Sequence, residues 1–178
     1  NNNDIPNFIL SQLALTDQVV LIGPPGTGKT YQIAEICKRL CGQGKSVLVT
    51  SLTNRALIEV IEKPALENML DEGKVFKTKI STDEAKEFPR LEQTKEVNPQ
   101  PGNLVLSTFF IASSEAVNLT DKPPFDYVIV DEASQALLAM FGAAKLLGKK
   151  NIWIGDTKQL PPVVAINEDK VSKKNYDI

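Results

Sequence analysis

A glycine-rich turn between an apolar run and an amphipathic run constrains this chain more than any other feature. Residues 18–22 have the length and composition of a buried β-strand, and residues 30–41 carry apolar side chains at helical spacings of three and four. The turn between them fits the pattern G-x-x-x-x-G-K-[ST] at every position. Backbone N–H groups in such a turn, backed by the positive end of a helix, form an anion site. The sequence therefore predicts a turn that binds phosphate groups.

This turn supplies the candidate nucleotide-binding residues, which are Gly23, Pro24, Pro25, Gly26, Thr27, Gly28, Lys29 and Thr30. We expect Gly28 to permit close approach of a phosphate, and Lys29 to reach the β- and γ-phosphates as a catalytic residue. The hydroxyl of Thr30 is expected to bind magnesium. The pattern therefore favours magnesium–ATP as the ligand, and the alternative is a glycine-rich turn that binds nothing.

A second apolar strand ends in two acids. Residues 128–130 are Val-Ile-Val, and Asp131 and Glu132 follow directly. Carboxylates at the carboxyl end of a buried parallel strand lie where α/β proteins bind their ligands. We expect Asp131 to hold magnesium, directly or through water, and Glu132 to orient and deprotonate the attacking water. The alternative is a solvated acidic turn, or an aspartate that caps a helix beginning at Ala133.

The order of patterns along the chain predicts an α/β fold with a mainly parallel, five-stranded sheet covered by helices. The predicted strands are residues 18–22, 46–50, 103–107, 125–130 and 150–154. The predicted helices are residues 30–41, 54–62, 64–71 and 133–147. Residues 72–102 are rich in charge and interrupted by prolines, which indicates a surface insertion.

Composition narrows the class of protein. The 178 residues suffice for one domain, and the net charge of −2 is not the strongly basic footprint of a self-sufficient nucleic-acid-binding domain. Any nucleic-acid site is therefore small or is completed by another domain.

No apolar run is long enough to span a bilayer, and no secretory signal is visible, so we expect an intracellular protein without membrane contact. Cys37 and Cys41 are predicted to be buried, inert thiols, since two cysteines without histidine make a poor zinc site.

Two further stretches carry a family resemblance. Residues 131–135 (DEASQ) and 155–164 (GDTKQLPPVV) resemble motifs II and III of superfamily 1 helicases, with the up-frameshift (nonsense-mediated decay) subfamily as the nearest likeness. Residues 50–56 and 106–108 are similar, more loosely, to motifs Ia and Ic. The likeness runs from about residue 18 to residue 165, in the order that the family keeps.

The resemblance implies a RecA-like P-loop NTPase domain with three α/β/α layers, in which the strand ending at Gly155 lies between the strands that end at Gly23 and Asp131. It implies that Gln159 senses the γ-phosphate as a catalytic and nucleotide-binding residue, and that Asp156 supports the magnesium–water network. It also implies contacts to a sugar-phosphate backbone from Thr50, Ser51, Asn54 and Thr108. The residue-level alternative is that Thr50 and Ser51 only end a strand and cap a helix.

The function implied is that of the first RecA-like domain, residues 1–178, of an ATP-dependent DNA or RNA helicase that moves on single-stranded nucleic acid. Its partners would be single-stranded DNA or RNA and a second RecA-like domain, which supplies an arginine finger. We therefore expect the isolated chain to bind ATP and hydrolyse it poorly. One departure concerns adenine recognition, because Gln12 lies closer to Lys29 than the family's adenine-reading glutamine does.

Three other functions are alternatives to a helicase motor domain. The first is a translocase or nuclease-linked motor that moves on nucleic acid without unwinding it, because its motor motifs would be identical. The second is a non-catalytic, ATP-gated nucleic-acid-binding module, which the intact Lys29, Thr30, Asp131 and Glu132 disfavour. The third is a P-loop kinase or GTPase, which residues 159–162 (QLPP) and the absence of an Asn-Lys-x-Asp stretch disfavour.

Overall fold

The computed structural model describes residues 4–95, 97–116, 122–133 and 138–156. These residues contain strands β1 (Gln18–Gly23), β2 (Val47–Ser51), β3 (Val75–Lys77), β4 (Glu92–Gln93), β5 (Leu104–Thr108), β6 (Phe125–Val130) and β7 (Gly148–Asp156). They also contain helices α1 (Ile5–Leu13), α2 (Lys29–Gly42), α3 (Asn54–Ile61), α4 (Glu67–Asp71), α5 (Thr82–Glu87), α6 (Phe109–Ala116) and α7 (Leu138–Leu147), with a 3₁₀ turn at Pro64–Leu66.

The strands form one sheet in the order β1-β7-β6-β2-β5-β3-β4, and every neighbouring pair is parallel. The prediction that the strand ending near Gly155 separates the Gly23 strand from the Asp131 strand is confirmed, because β7 lies between β1 and β6. The carboxyl ends of these three strands therefore meet at one edge of the sheet, where parallel α/β folds place their sites.

The sheet has seven strands, and the predicted number of five is corrected. Both additional strands come from residues 72–102, the segment expected as a surface insertion. Strand β3 pairs with β5, and its residues Val75 and Lys77 are buried. Part of this segment therefore belongs to the sheet. Three residues in β3 and two in β4 are too few to show an alternating pattern, which is why the sequence did not indicate them.

Helices cover both faces of the sheet, as the three-layer prediction requires. One core cluster joins α1, α2 and α3 to one face through residues such as Ile33, Ile36 and Leu57. The other joins α6 and α7 to the opposite face through Phe109, Leu147 and their neighbours. Every residue of β2 is buried, because this central strand is covered on both sides.

Local signals set the helix starts. Thr53 accepts a hydrogen bond from the N–H of Ala56 and caps α3, while Ser81 and Glu84 form a capping box at α5. The helix predicted over residues 133–147 is represented by α7, and residues 134–137 lie outside the described part of the chain. Among the described helices, none has the length and apolar character needed to cross a membrane.

Candidate nucleotide-binding site

The glycine-rich turn joins the end of β1 to the start of α2. Gly26 has φ of 77° and Gly28 has φ of 78°, which place both in the left-handed region that side chains disfavour. Gly28 directly precedes Lys29, the first residue of α2, so the turn delivers its backbone to the amino end of that helix. The geometry matches what the sequence pattern predicts of a phosphate-binding turn.

Lys29 lies folded across this turn. Its Nζ donates hydrogen bonds to the carbonyl oxygens of Gly23 at 2.7 Å and Pro24 at 2.8 Å. The hydroxyl of Thr27 donates to the same Pro24 carbonyl at 2.8 Å. The ammonium group is therefore held at the turn by neutral acceptors, which phosphate oxygens can replace with stronger, charge-assisted partners.

The turn and the two predicted acids line one cleft of about 280 Å³. From the turn and α2 it is lined by Pro25, Gly26, Lys29 and Thr30, and from the sheet edge and α3 by Ala56, Glu59, Asp131, Glu132, Ile154, Gly155 and Asp156. Residues more than a hundred positions apart in the chain are thus brought together at the carboxyl ends of β1, β7 and β6. The lining residues from α3, Ala56 and Glu59, were not predicted as site residues, since nothing in the local sequence relates α3 to the turn.

Asp131 follows β6 and is held by backbone contacts. Its N–H donates to the carbonyl of Thr50 at 2.9 Å, and its Oδ1 accepts from the N–H of Glu132 at 2.9 Å. The pKa of Asp131 is raised to about 6, mainly by burial and also by the charge of Glu132, although the Glu132 N–H and the charge of Lys29 oppose that rise. A buried carboxylate of this kind is stabilised by a nearby cation.

Glu132 has an unusual backbone. Its φ of 54° makes it the one non-glycine residue with positive φ in the described part of the chain. Its Oε2 accepts a hydrogen bond from the hydroxyl of Ser51 at 2.9 Å. Conformations of this kind cost about 1–3 kcal/mol and concentrate at functional sites. The carboxylate is therefore fixed from two sides, by its own backbone and by β2.

Oxygen donors suited to a hard cation lie in this cleft. Thr30 and Asp131, the predicted magnesium ligands, both line it, and Asp156 lies at the same edge. Hydroxyl and carboxylate oxygens are the donors that Mg²⁺ accepts alongside phosphate and water. In the described ranges no three His, Cys, Asp or Glu side chains form a metal-binding group.

The residues expected to contact nucleic acid fall into two groups. Thr50 and Ser51 are each 1% exposed, because they lie in the central strand β2, and the Ser51 hydroxyl is turned toward Glu132. Their hydroxyls are therefore not at the surface. Asn54, at the start of α3, is exposed, and Thr108, at the end of β5, is half-buried. The four residues do not form one exposed surface.

Some predicted residues cannot be placed. Gln159 lies outside the described residues, as do Ser134 and Gln135 of the motif II stretch. Gln12, the glutamine upstream of the turn, is half-buried in α1.

A residue that sequence reasoning missed is Lys77, whose buried side chain donates a hydrogen bond to Asn54 at 3.0 Å. A lysine in a charged segment gives no sequence signal of burial.

Known proteins resemble this chain in sequence and in fold. Two of the proteins with similar sequences are helicase/nucleases. The DNA replication ATP-dependent helicase/nuclease DNA2 of Saccharomyces cerevisiae is 34% identical over 152 residues, covering 83% of this chain and 10% of that protein. The DNA replication ATP-dependent helicase/nuclease JHS1 of Arabidopsis thaliana is 30% identical over 173 residues, covering 94% of this chain and 13% of that protein. The chain thus spans only a small part of the relatives that it matches.

A solved structure shares the fold. The SWI2/SNF2 ATPase core of Sulfolobus solfataricus in complex with dsDNA aligns with a TM-score of 0.54 at 16% identity, covering 86% of this chain and 31% of that one.

The expected nearness to the up-frameshift subfamily is not specifically supported, since the yeast and Arabidopsis relatives are both helicase/nucleases. A family model for the AAA domain matches residues 8–165. The chain therefore belongs to the AAA domain family and is a RecA-like motor domain of the superfamily 1 helicase type.

Proposed function

We propose that this chain is the ATP-binding motor domain of an ATP-dependent DNA helicase, which couples ATP hydrolysis to movement on single-stranded DNA. The observation that carries the proposal is the single cleft that holds Lys29, Thr30, Asp131 and Glu132. DNA is favoured over RNA because two relatives are named as DNA replication helicase/nucleases. Such a protein would work inside the cell, where both ATP and nucleic acid are found.

The turn of residues 23–30 would bind the phosphates of ATP. Lys29 would exchange the carbonyls of Gly23 and Pro24 for phosphate oxygens, and the N–H groups around Gly26 and Gly28 would donate to the same ligand. Each exchange replaces a neutral acceptor with a charged one. Binding energy is therefore concentrated on the phosphate chain of the nucleotide.

Thr30 and Asp131 would hold Mg²⁺, with Asp156 supporting its bound water. The ion, when bound, neutralises charge on the β- and γ-phosphates. The burial that raises the pKa of Asp131 fits this role, because an ionised carboxylate at that position needs a positive partner. Asp131 would thus hold the cation beside the phosphates whose charge it neutralises.

Glu132 would be the general base that orients and deprotonates the attacking water. It lines the nucleotide cleft, and its carboxylate is held by the Ser51 hydroxyl, so its position is set before the ligand arrives. Gln159, outside the described residues, would sense the γ-phosphate. Lys29 would stabilise the negative charge that develops on the transferred group.

A second RecA-like domain of the full-length protein would complete the catalytic site. The three arginines of this chain are Arg39, Arg55 and Arg90, and each forms an ion pair, with Asp4, Glu59 and Asp71 respectively. None of them lines the described cleft. An arginine finger is worth about 10³- to 10⁵-fold in turnover, so residues 1–178 alone, acting as one domain, would bind ATP and hydrolyse it slowly.

Nucleotide binding tests the site. We expect Lys29→Ala to weaken the affinity for a magnesium complex of a non-hydrolysable ATP analogue by about 10-fold or more, because charge-assisted hydrogen bonds are lost. Isothermal titration calorimetry measures this, and Lys38→Ala is the matched control, since Lys38 is an exposed lysine of the same helix. Equal affinities for the wild type and Lys29→Ala would refute the site.

The rate of ATP hydrolysis tests the assignment of Glu132 as the general base. Glu132→Gln in the full-length protein keeps the size of the side chain and removes its basicity, so we expect turnover to fall by about 10²- to 10⁴-fold while nucleotide affinity is retained. Steady-state ATPase assays with saturating single-stranded DNA measure this. Turnover near that of the wild type would show that another group activates water, and no turnover in the wild type would favour a non-catalytic binding module.

A translocase that does not unwind nucleic acid is a second candidate, because its motor motifs would be identical to those of this chain. The motor domain would be the same in both. A strand-separation assay and a triplex-displacement assay on the full-length protein distinguish them, since a translocase displaces the third strand but leaves the duplex intact.

A further inference from the structure

Lys77 is a buried lysine outside the nucleotide cleft, at the end of β3. Its side chain is 1% exposed. Its Nζ donates to Asn54 Oδ1 at 3.0 Å, to the carbonyl of Lys79, and to the Glu84 carboxylate at 3.2 Å. A lysine ammonium has three N–H donors, and these three partners match them. Asn54, at the start of α3, is exposed.

The inner side of this cluster is held firmly. Glu84 supplies the countercharge that a buried ammonium requires, and its Oε2 also accepts from the N–H of Ser81 at 2.7 Å in the capping box of α5. Lys77 itself belongs to β3, which pairs with β5. The ammonium therefore has little freedom to move toward or away from Asn54.

This contact determines which way the Asn54 amide faces. An ammonium only donates, so the amide oxygen and not the amide nitrogen must lie against it. A flipped amide would set two donors against each other and leave a buried N–H without a partner, which disfavours that orientation by about tenfold or more. The orientation thus follows from the hydrogen-bonding chemistry of the two groups.

The outer side of the amide carries only donors. Asn54 is exposed, and no acceptor among the described residues takes a hydrogen bond from its Nδ2. The neighbouring Arg55 has a side chain 88% exposed. Two amide N–H groups held outward match a ligand that only accepts hydrogen bonds, and a phosphate diester oxygen is such a ligand. The same amide turned around would present an oxygen, which phosphate repels.

We infer that Lys77 is a positioning residue that holds the amide of Asn54 with its N–H donors outward, for contact with a phosphate of the bound DNA strand. The inference rests on the proposed function, because it takes the DNA as its ligand. Glu84 cancels the charge of Lys77, so the lysine contributes orientation and adds no net attraction for DNA. Lys77 itself makes no contact with the strand.

The test is the affinity of the full-length protein for a fluorescein-labelled oligo(dT), measured by anisotropy. We expect Lys77→Met to weaken binding about 3- to 10-fold, the net worth of one typical hydrogen bond in a protein, and to leave affinity for magnesium–ADP unchanged. Lys79→Met is the matched control, because it removes an exposed charge two residues away without touching Asn54. We expect this control to bind within about twofold of the wild type, since an exposed charge contributes little.

A double-mutant cycle separates positioning from general structure. In an Asn54→Ala background, Lys77→Met should cause no further loss, because its effect passes through the Asn54 amide. An equal loss in both backgrounds, or no loss in the wild-type background, would overturn the inference. A loss shared by Lys79→Met would overturn it too, since charge would then be the cause.

A second variant tests the outward donors of Asn54 without changing Lys77, and so serves if Lys77→Met does not fold. Asn54→Asp keeps an oxygen for Lys77 and turns the outward donors into an acceptor, so it should bind DNA more weakly than Asn54→Ala does. Binding of Asn54→Asp equal to the wild type would refute the outward donors. A wild-type protein that binds no DNA would refute the proposed function and this inference with it, whereas an unaffected Asn54→Asp refutes only the inference.

Discussion

The hydroxyl of Ser51 donates a hydrogen bond to Oε2 of Glu132 across 2.9 Å, and so joins the end of β2 to the acid that follows β6. Ser51 lies two residues before Thr53, the N-cap of α3, and three before Asn54. The strand that leads to the proposed DNA contact therefore also holds the proposed base. The motif resemblance, which implies a nucleic-acid contact for Ser51, does not include this bond.

We predict that Ser51→Ala lowers the DNA-stimulated turnover of the full-length protein about 3- to 10-fold, because Glu132 loses the bond that orients it. The KM for ATP and the Kd for single-stranded DNA should stay unchanged. Ser51→Thr, which keeps a hydroxyl, is the control and should retain more activity. A weaker Kd for DNA with unchanged turnover would instead assign Ser51 to the nucleic-acid contact.

Alanine in place of Gly148 and alanine in place of Gly142 should change the free energy of unfolding in opposite directions. A Cβ at Gly148 would lie 2.6 Å from Cγ2 of Val128 on the neighbouring strand, whereas a Cβ at the exposed Gly142 of α7 would meet nothing within 4 Å. We predict that Gly148→Ala lowers the free energy of unfolding by about 1–3 kcal/mol and that Gly142→Ala raises it by about 0.5–1 kcal/mol. Urea denaturation followed by circular dichroism measures both, and similar values for the two variants would contradict the packing described.

Asp126 ties the start of β6 to the residue before β2. Its Oδ2 accepts from the N–H and hydroxyl of Ser46 at 3.0 and 3.1 Å, and its Oδ1 accepts from Lys149 at 2.8 Å. Partial burial opposes ionisation of Asp126, but the hydrogen bonds from Lys149 and Ser46 outweigh it and lower the pKa of this carboxyl.

A carboxyl with a lowered pKa in the folded state stabilises the fold above its unfolded pKa of about 4 and loses this contribution as the pH falls through the folded value. We predict that Asp126→Asn lowers the free energy of unfolding by about 1–2 kcal/mol at pH 7. The difference from the wild type should shrink below about pH 4. Denaturant titrations across that range check this, and a difference independent of pH would contradict it.

Cys37 and Cys41 are free thiols on the inner face of α2, 0% and 6% exposed. Burial raises the pKa of Cys37 well above its usual range and that of Cys41 to about 12. At pH 8 both thiols are then protonated, and the thiolate is the reactive form. We predict that Ellman's reagent modifies neither thiol in the native protein and both in guanidinium chloride. Rapid native modification of either one would show that α2 opens.

Some features of this protein are determined by short stretches of sequence alone. The strand, turn and helix around Lys29 are predictable because glycine conformations, the lysine and the hydroxyl must occupy fixed positions within eight residues. The two acids are predictable because residues at the carboxyl end of a buried parallel strand lie at the edge of the sheet where ligands bind. The order of β1, β7 and β6 came from the family resemblance, and the structure agrees with it.

Other features were decided only when the chain folded. Strands β3 and β4 are too short to show a period, and they form because β5 offers a free edge. Ser51 meets Glu132 across 81 positions of sequence, and Lys77 meets Asn54 across 23. Local patterns record which face of an element is buried, but a hydrogen bond between distant side chains depends on which strands are neighbours. That is why the sequence indicated the reactive groups, while the tertiary structure decided what holds them in position.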